Sequence, residues 1–453
     1  MKKIALFLAL VLTCVFVLPA FAAEAPVSQV AVIDEDGKAL FEAGKAYYEA
    51  GVYDEALPIF EEMDQKGNVQ ASYMLGMMYL QGYGVETDLV RAKELLLKAA
   101  EGGDVQGMFR MGYELKHGTF GESDPESAAN WYQKASALGY GSASNNLAFL
   151  YVDGVGVSKN PAEAVRLLEL AVEQGATDSA VRLARLYASD RLGAPDYAKA
   201  AQWYEKAIEL KNEDALNELA DLYFDGKLTG APDYLKAIEY YELSAAENNS
   251  SSMTQLGNIY FQGYGVEKDI LKAEQYFIKA SWYGNSNATL YLAMRYEEGD
   301  FNGVPDYAKA VDWYEKSAFE GNLTAAEKLA RLYLSGANAQ DGTVLVAPDY
   351  HQALIMLDRA WTLGTQDEWL ISWLGYFYCG HSDIRPADYS KAVEFYNKAV
   401  EMGDSYSMEM LGDLYRDGHV GAADPEKAAE YYAMAVAAGR TEAQAKLDAL
   451  KTE

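Results

Sequence analysis

At ten near-regularly spaced places along the chain an alanine stands four residues after an aspartate or asparagine, and no other feature limits the possible folds as tightly. The acidic or amide residues are Asp88, Asp124, Asn160, Asp196, Asp233, Asp269, Asp306, Asp349, Asp388 and Asp424. Their alanines are Ala92, Ala128, Ala164, Ala200, Ala237, Ala273, Ala310, Ala353, Ala392 and Ala428. Most steps between successive members are 36 or 37 residues. A period of that size belongs to stacked units, each too small to bury its own apolar face and each packing mainly on its neighbours.

The unit is clearest from Ala71 to Gly103, ASYMLGMMYLQGYGVETDLVRAKELLLKAAEGG. Ala71, Leu75, Gly76 and Tyr79 share one face of a first helix, where small Gly76 allows another helix to come close. Gly82 and Gly84 end it. Asp88 supplies a side-chain oxygen to the unbonded N–H groups at the start of a second helix. That helix turns Ala92, Leu95, Leu96, Ala99 and Ala100 inward and stops at Gly102-Gly103. Fifteen residues after the cap stands a glycine in eight of ten units. The exceptions are Lys211, followed by Asn212, and Asn248; asparagine enters the left-handed region most readily after glycine.

The segments LGMMYLQGYGVETDLVRAKELLLKAA (Leu75 to Ala100) and LGNIYFQGYGVEKDILKAEQYFIKA (Leu256 to Ala280) resemble Sel-one-like repeats, relatives of the tetratricopeptide repeat. The resemblance extends over about residues 69–447. It implies an all-α fold, an α/α superhelical solenoid of about ten repeats that binds other proteins or peptides, with no chemistry and no cofactor of its own. On this reading residues 37–68 form a tetratricopeptide-like opening unit, 69–440 the ten repeats and 441–453 a C-terminal capping helix. Terminal units of solenoids are atypical because they cover the ends of the core.

Half of the 453 residues are apolar, and Gly and Pro are not in excess, which is the composition of a folded chain. A solenoid of this length keeps one continuous core where a globule would divide, so one elongated domain is expected. Residues 1–22 have the pattern of a bacterial export signal: Lys2 and Lys3, an apolar run from Ile4 to Leu18, and Ala20-Phe21-Ala22 as the cleavage site. Cleavage after Ala22 is expected to give a periplasmic or secreted chain with a flexible leader at 23–36. The alternative is a retained anchor, for which the run is short. Leu12-Thr13-Cys14 lies too far ahead of the end of the signal to be a lipid-attachment site.

After cleavage Cys379 is the one cysteine left, so no internal disulfide holds the array. In this the chain departs from the cysteine-rich secreted members of the family, and their functions do not carry over. Without Lys2 and Lys3 there are 36 basic against 68 acidic side chains, a formal charge of −32. Binding to nucleic acid or to an anionic membrane surface is therefore disfavoured, and no stable membrane insertion is expected. Nine of the ten caps are Asp, and further acids sit early in helices where the dipole favours them. A solvated acidic surface accounts for the charge; a cationic partner or loosely held calcium is the other reading. A monomer is expected.

Aromatic pairs fill two fixed positions of the second helix: Trp131-Tyr132, Trp203-Tyr204, Tyr240-Tyr241, Tyr276-Phe277, Trp313-Tyr314, Phe395-Tyr396 and Tyr431-Tyr432. Their recurrence reads as inter-repeat core. Pro125, Pro161 and Pro425 fall on the first helical position, where a missing N–H costs nothing, and Pro58 is expected near a helix start. The period breaks once. Gly336 to Ala347, GANAQDGTVLVA, is an insertion between the two helices of the eighth repeat, and insertions of this kind map to one face, often the binding face.

Catalytic constellations are not found. There is no H-E-x-x-H, P-loop, G-x-S-x-G or Cys-x-x-Cys, and no lysine has a serine three residues before it. His117, His351, His381 and His419 lie in different units, and Cys379 with His381 makes only two ligands, short of a zinc site. Neither a catalytic residue nor a metal is assigned.

In tetratricopeptide arrays the first helices line the inner groove, at offsets −6, −3, +1, +4 and +5 from the small residue. Here the small residues are Gly76, Gly112, Ala148, Ala184, Ala220, Gly257, Ala293, Ala330, Gly375 and Gly412. The first three units then present Tyr73, Met77, Leu80, Phe109, Tyr113, Asn145, Phe149 and Val152. The middle presents Arg185, Asn217, Asp221 and Asn258, and the last two units Trp369, Tyr376 and Tyr406. An exposed apolar stripe is costly unless used, so a groove for an extended or helical peptide is one reading, with aromatic anchors at its ends and amides between. Further helix packing by Tyr73, Phe109 and Phe149 is the other. The leading expectation is an exported scaffold or adaptor for a protein or peptide; a cell-wall hydrolase or acyl-transfer enzyme, and a secreted factor engaging a host protein, are the alternatives.

Overall fold

The computed structural model describes residues 38–338, 344–380 and 384–450. The expected signal and leader lie outside the described residues, as do His381, part of the insertion and the last three residues. The chain divides into two compact units, the first ending at Ala215 and the second beginning at Leu216. In the first are α1 (Lys38–Glu49), α2 (Tyr53–Gln65), α3 (Val69–Gln81), α4 (Leu89–Glu101), α5 (Val105–His117), α6 (Pro125–Ala137), α7 (Gly141–Asp153), α8 (Pro161–Glu173), α9 (Asp178–Ala188) and α10 (Tyr197–Glu209). Helix α11 (Asp214–Phe224) contains the division. The second unit continues with α12 (Tyr234–Ala246), α13 (Ser250–Gln262), α14 (Ile270–Trp282), α15 (Ser286–Glu298), α16 (Tyr307–Phe319) and α17 (Leu323–Ser335). Strands β1 (Ala337–Asn338) and β2 (Val344–Val346) follow, then α18 (Tyr350–Thr362), α19 (Glu368–Tyr378), α20 (Tyr389–Glu401), α21 (Ser405–Arg416), α22 (Pro425–Ala437) and α23 (Glu442–Leu450). The expected fold class is present: helices in pairs, α3 with α4 to α21 with α22, form an all-α superhelical repeat array.

Each second helix starts as the spacing requires. All ten cap side chains accept a hydrogen bond from the backbone N–H three residues on, from Arg91 at Asp88 to Lys427 at Asp424. The caps' own N–H groups make a second fixed bond, to the carbonyl of one position in the first helix. Asp88 donates to Tyr79 at 3.0 Å, Asp269 to Tyr260 at 2.8 Å and Asp424 to Tyr415 at 2.9 Å, and the other seven agree. First helices are capped in the same way by Asn68, Asp104, Asn249, Asn285, Asn322, Asp367 and Asp404. The left-handed residue before each new repeat is also kept where glycine is missing. Lys211 itself, not Asn212, takes φ 65°, and Asn248 takes φ 68°.

Two rows make the core. The ten alanines after the caps are fully buried. The residue four further on packs on the small residue of the first helix: a Cβ added at Gly375 would lie 2.5 Å from the Tyr396 ring, and one at Gly412 2.5 Å from Tyr432. The aromatic pairs are therefore only half core. Their second members, such as Tyr132, Tyr241 and Tyr314, are fully buried, whereas Trp131, Trp203, Tyr240, Tyr276, Trp313 and Tyr431 are half-buried. The helix turns them about 100° out of the core. Several of these outer rings stack on the first helix, Tyr240 on Tyr223 at 5.7 Å, Tyr276 on Tyr260 at 5.8 Å and Tyr431 on Tyr415 at 5.6 Å. A lysine lies over each Tyr so stacked: Lys236, Lys272 and Lys427.

The ends and the insertion are irregular. Pro58 is the sixth residue of α2, inside the helix rather than at its start, and Gly44 lets α1 close on Ile59 and Phe60. The insertion carries an antiparallel hairpin, Ala337 pairing with Val346, with Val344 and Leu345 exposed. At the other end α23 is held by charge. Glu409 and Asp413 of α21 meet Lys446, each at 2.6 Å, and Glu409 also pairs with Arg440.

Burial would push the Glu409 carboxyl up, but hydrogen bonds from Lys446 and Arg440 outweigh it and hold the carboxyl below its ordinary value of 4.5. Its contribution is therefore complete above that pH and is lost as pH falls through the lowered value. Two expectations follow for denaturant unfolding. Tyr314→Ala costs about 3–5 kcal/mol as a fully buried ring, and Trp313→Ala about 1–2 kcal/mol because half of it already meets water. Between pH 5 and pH 3 the native chain loses more stability than Glu409→Gln, which has no carboxylate to protonate.

Candidate functional site

Beside the exposed and mostly polar −6 and +5 rows, the first helices open one row of larger side chains to solvent, wholly or in part: the residue directly after the small one. In the first unit this row is Met77, Tyr113, Phe149 and Arg185. Tyr113 is 37% exposed and Arg185 is exposed, while Met77 and Phe149 are half-buried. Guanidinium groups attend these rings: Arg110 lies 5.3 Å from Tyr113, and Arg182 and Arg191 lie 5.9 and 5.7 Å from Phe149. Arg110 also pairs with buried Glu114 at 2.6 Å.

The other offsets behave differently. At +4, Leu80 and Val152 are 8% and 2% exposed, so neither faces a groove. They point at the neighbouring helix and belong to the core. At −3, Tyr73 and Phe109 are half-buried; Phe109 packs on Tyr140 at 5.0 Å and Tyr132 at 5.8 Å, and burial raises the Tyr73 hydroxyl. Asn145 is buried, and its side-chain oxygen accepts from Ser179 of the following repeat at 3.2 Å. The −3 position thus fastens one repeat to the next. In the second unit Asn217 does the same, accepting from Ser252 at 2.7 Å, and Glu327 accepts from Thr365 at 2.6 Å.

The +1 row of the second unit includes Asp221 and Asn258, both half-buried. Asp221 accepts from the Tyr241 hydroxyl at 2.5 Å, and burial pushes its carboxyl up. Asn258 reaches Gln255 at 3.3 Å. Trp369 and Tyr376 of the ninth repeat and Tyr406 of the tenth come together. They line one cleft of about 460 Å³ with Ser372, Trp373, Asp404, Ser405 and Arg440. Its rings meet edge to face, Trp369 with Trp373 at 5.9 Å and Trp373 with Tyr376 at 5.1 Å. Burial pushes the Tyr406 hydroxyl up to about 12, so it is a neutral donor at physiological pH.

The offset rule did not reach several of these lining residues. Trp373 sits at −2, Asp404 caps α21, and Arg440 follows the tenth repeat, beyond the window of any first helix. Arg440 does hold the place that opens the next unit, which is the signal available in sequence. Trp282 and Phe319, the last residues of α14 and α16, are more than half exposed where other repeats carry Glu, Ala or Thr.

Among the described residues no three His, Cys, Asp or Glu side chains converge as a metal would need, and no helix is long and apolar enough to cross a membrane. Cys379 is buried beside the Tyr396 hydroxyl at 3.9 Å, and burial pushes its thiol up to about 11, which leaves it a poor nucleophile. The arrangement suits recognition by stacking, cation–π contact and hydrogen bonding.

Thermal melts of single variants separate face from core in the first unit. Phe109→Ala loses about 2–4 kcal/mol, since its ring is wedged against Tyr132 and Tyr140, whereas Tyr113→Ala changes stability by less than about 1 kcal/mol.

Comparison with known proteins agrees with this architecture. The Sel1 repeat matches at residues 69–104, 105–140, 141–175, 177–212, 213–249, 250–281, 286–322, 324–364, 372–404 and 405–439. No curated protein matches the chain. Among solved structures it is similar to c5321, a protective antigen present in uropathogenic Escherichia coli strains that displays an SLR fold. The two share 29% identity at a TM-score of 0.52, over 86% of this chain and 81% of that one. It also matches a Sel1 repeat protein from Oxalobacter formigenes, with 29% identity and a TM-score of 0.44, over 53% of this chain and 96% of that one. With ten matched copies on ten capped helix pairs, the chain belongs to the Sel1 repeat family.

Proposed function

We propose that this chain is an exported scaffold that holds a protein or peptide partner on the face made by its first helices. Sel1 repeat proteins generally mediate protein–protein interaction. The observation that carries the reading further is the row of large side chains beside each small residue. The exposed −6 and +5 rows are mostly short or polar side chains such as Gln70, Ser142, Gln81 and Asp153, whereas this row keeps Tyr113, Arg185 and the Tyr376 side of the cleft accessible. Large aromatic and arginine side chains in such positions are the common anchors of interfaces.

Export, cleavage after Ala22 and a periplasmic or secreted location belong to the same reading, resting on the basic start, apolar run and Ala-x-Ala site of residues 1–22. The acidic excess supports a partner other than nucleic acid. The proposal assigns no catalytic activity, no cofactor and a monomeric state. A secreted factor that meets a host protein is the second reading, favoured by the likeness to c5321, itself described as a protective antigen.

Purification of the exported chain tests both parts. Intact mass should correspond to a chain beginning at Ala23, and a retained or lipidated amino terminus overturns the export proposal. Capture from envelope extract should yield a partner whose binding weakens by about 1–3 kcal/mol in Tyr113→Ala or Tyr376→Ala, with melting temperatures near that of the native protein. Partner binding unaffected by both variants removes the support for this face.

A further inference from the structure

The cleft between the ninth and tenth repeats has a repeated chemistry that says what it takes. At one rim Arg331 lies 4.8 Å from the Trp369 ring and pairs with Asp367. At the other, Arg440 lies 5.0 Å from the Tyr406 ring and pairs with Glu409. Each rim is thus a triple of ring, guanidinium and carboxylate, complete within the chain. Between them stand a third ring and a third carboxylate, Trp373 and Asp404. Among the described residues no cation lies over Trp373 and none pairs with Asp404, whose carboxylate accepts the N–H of Ser407 at 2.7 Å as a helix cap.

We infer that the missing member comes from the partner: the cleft receives a basic side chain, arginine or lysine, of a bound peptide, set over Trp373 and against Asp404. This rests on the reading of the chain as a peptide- or protein-binding scaffold and names the chemistry of one anchor. Three physical arguments converge on a cation. Indole faces attract cations more strongly than other side-chain rings do. Asp404 adds a full charge at the same cleft, while both local guanidinium groups are already neutralised by their own acids. The whole chain carries a net charge of −30, which draws basic segments toward it. An anionic occupant would meet Asp404 and find each arginine engaged.

The test uses the full exported chain and two blocked peptides, a Gly-Ser decapeptide with two arginines and the same peptide with citrulline, the neutral isostere, in their place. Binding is followed by tryptophan fluorescence and calorimetry. The arginine peptide should bind about tenfold more tightly, and raising the salt should narrow the difference. Asp404→Asn keeps the helix cap, because asparagine caps as well as aspartate, and should weaken the arginine peptide about fivefold while leaving the citrulline peptide unchanged. Trp373→Leu should do the same; if that variant melts early, Asp404→Asn carries the test alone. Equal binding of the two peptides, no binding of either at millimolar concentration, or indifference to Asp404→Asn overturns the inference. The two readings fail separately: if the peptides bind alike yet a captured partner is lost in Tyr376→Ala, the inference falls while the scaffold reading stands, with a cleft that takes an uncharged anchor; if the captured partner is indifferent to Tyr376→Ala and Tyr113→Ala, it is the scaffold reading that falls.

Discussion

One backbone hydrogen bond recurs in every repeat and the remaining structure hangs on it. The N–H of the cap residue reaches back to a carbonyl near the end of the preceding helix, at 2.8–3.0 Å in all ten units. The cap side chain meanwhile takes the N–H three residues on, so one residue closes the loop with its backbone and opens the next helix with its side chain. The bond is indifferent to what lies between. It spans nine residues from Tyr79 to Asp88 and sixteen from Tyr333 to Asp349, where the inserted hairpin is looped out and the helix pair is left as it was. Lengthening a loop costs little once its ends are fixed, which explains how an insertion is tolerated inside so regular an array.

With the pair closed, geometry assigns each helical row a task. The alanine row lets the second helix approach, and the small residue of the first helix receives the large side chain at the eighth position after the cap. The −3 row turns toward the next repeat, where Asn145, Asn217 and Glu327 each accept a hydroxyl from it. A buried amide without such a partner would cost more than its own bond returns. Of the rows free of these duties, the +1 row carries the larger side chains, and in the second unit Tyr376 of that row opens onto the aromatic cleft.

The candidate site was partly legible in the sequence because the offsets repeat: Tyr113, Arg185 and Tyr376 stand where an exposed row was expected. Leu80, Val152 and Asn145 did not follow. A helix of 3.6 residues per turn places +4 and −3 close to the boundary between faces, and only the crossing of the neighbouring helix decides which side they join. Arg440 and Asp404 escaped because a cleft draws on the end of one helix pair and the start of another, while an offset rule reads one helix at a time.

The sequence by itself determined the repeat, its ten copies, the caps, the turn glycines and the packing of alanine and small residue against a large side chain. Those are local properties, set within one period by capping, backbone freedom and side-chain size, and they are the same wherever the unit occurs. The tertiary structure decided which aromatics are core and which are surface, which polar groups are spent on the next repeat, and that Trp369, Trp373, Tyr376 and Tyr406 share a cleft. Those depend on the rotation of each helix against its neighbour, a quantity that arises from packing over several units at once and leaves no mark in any single period.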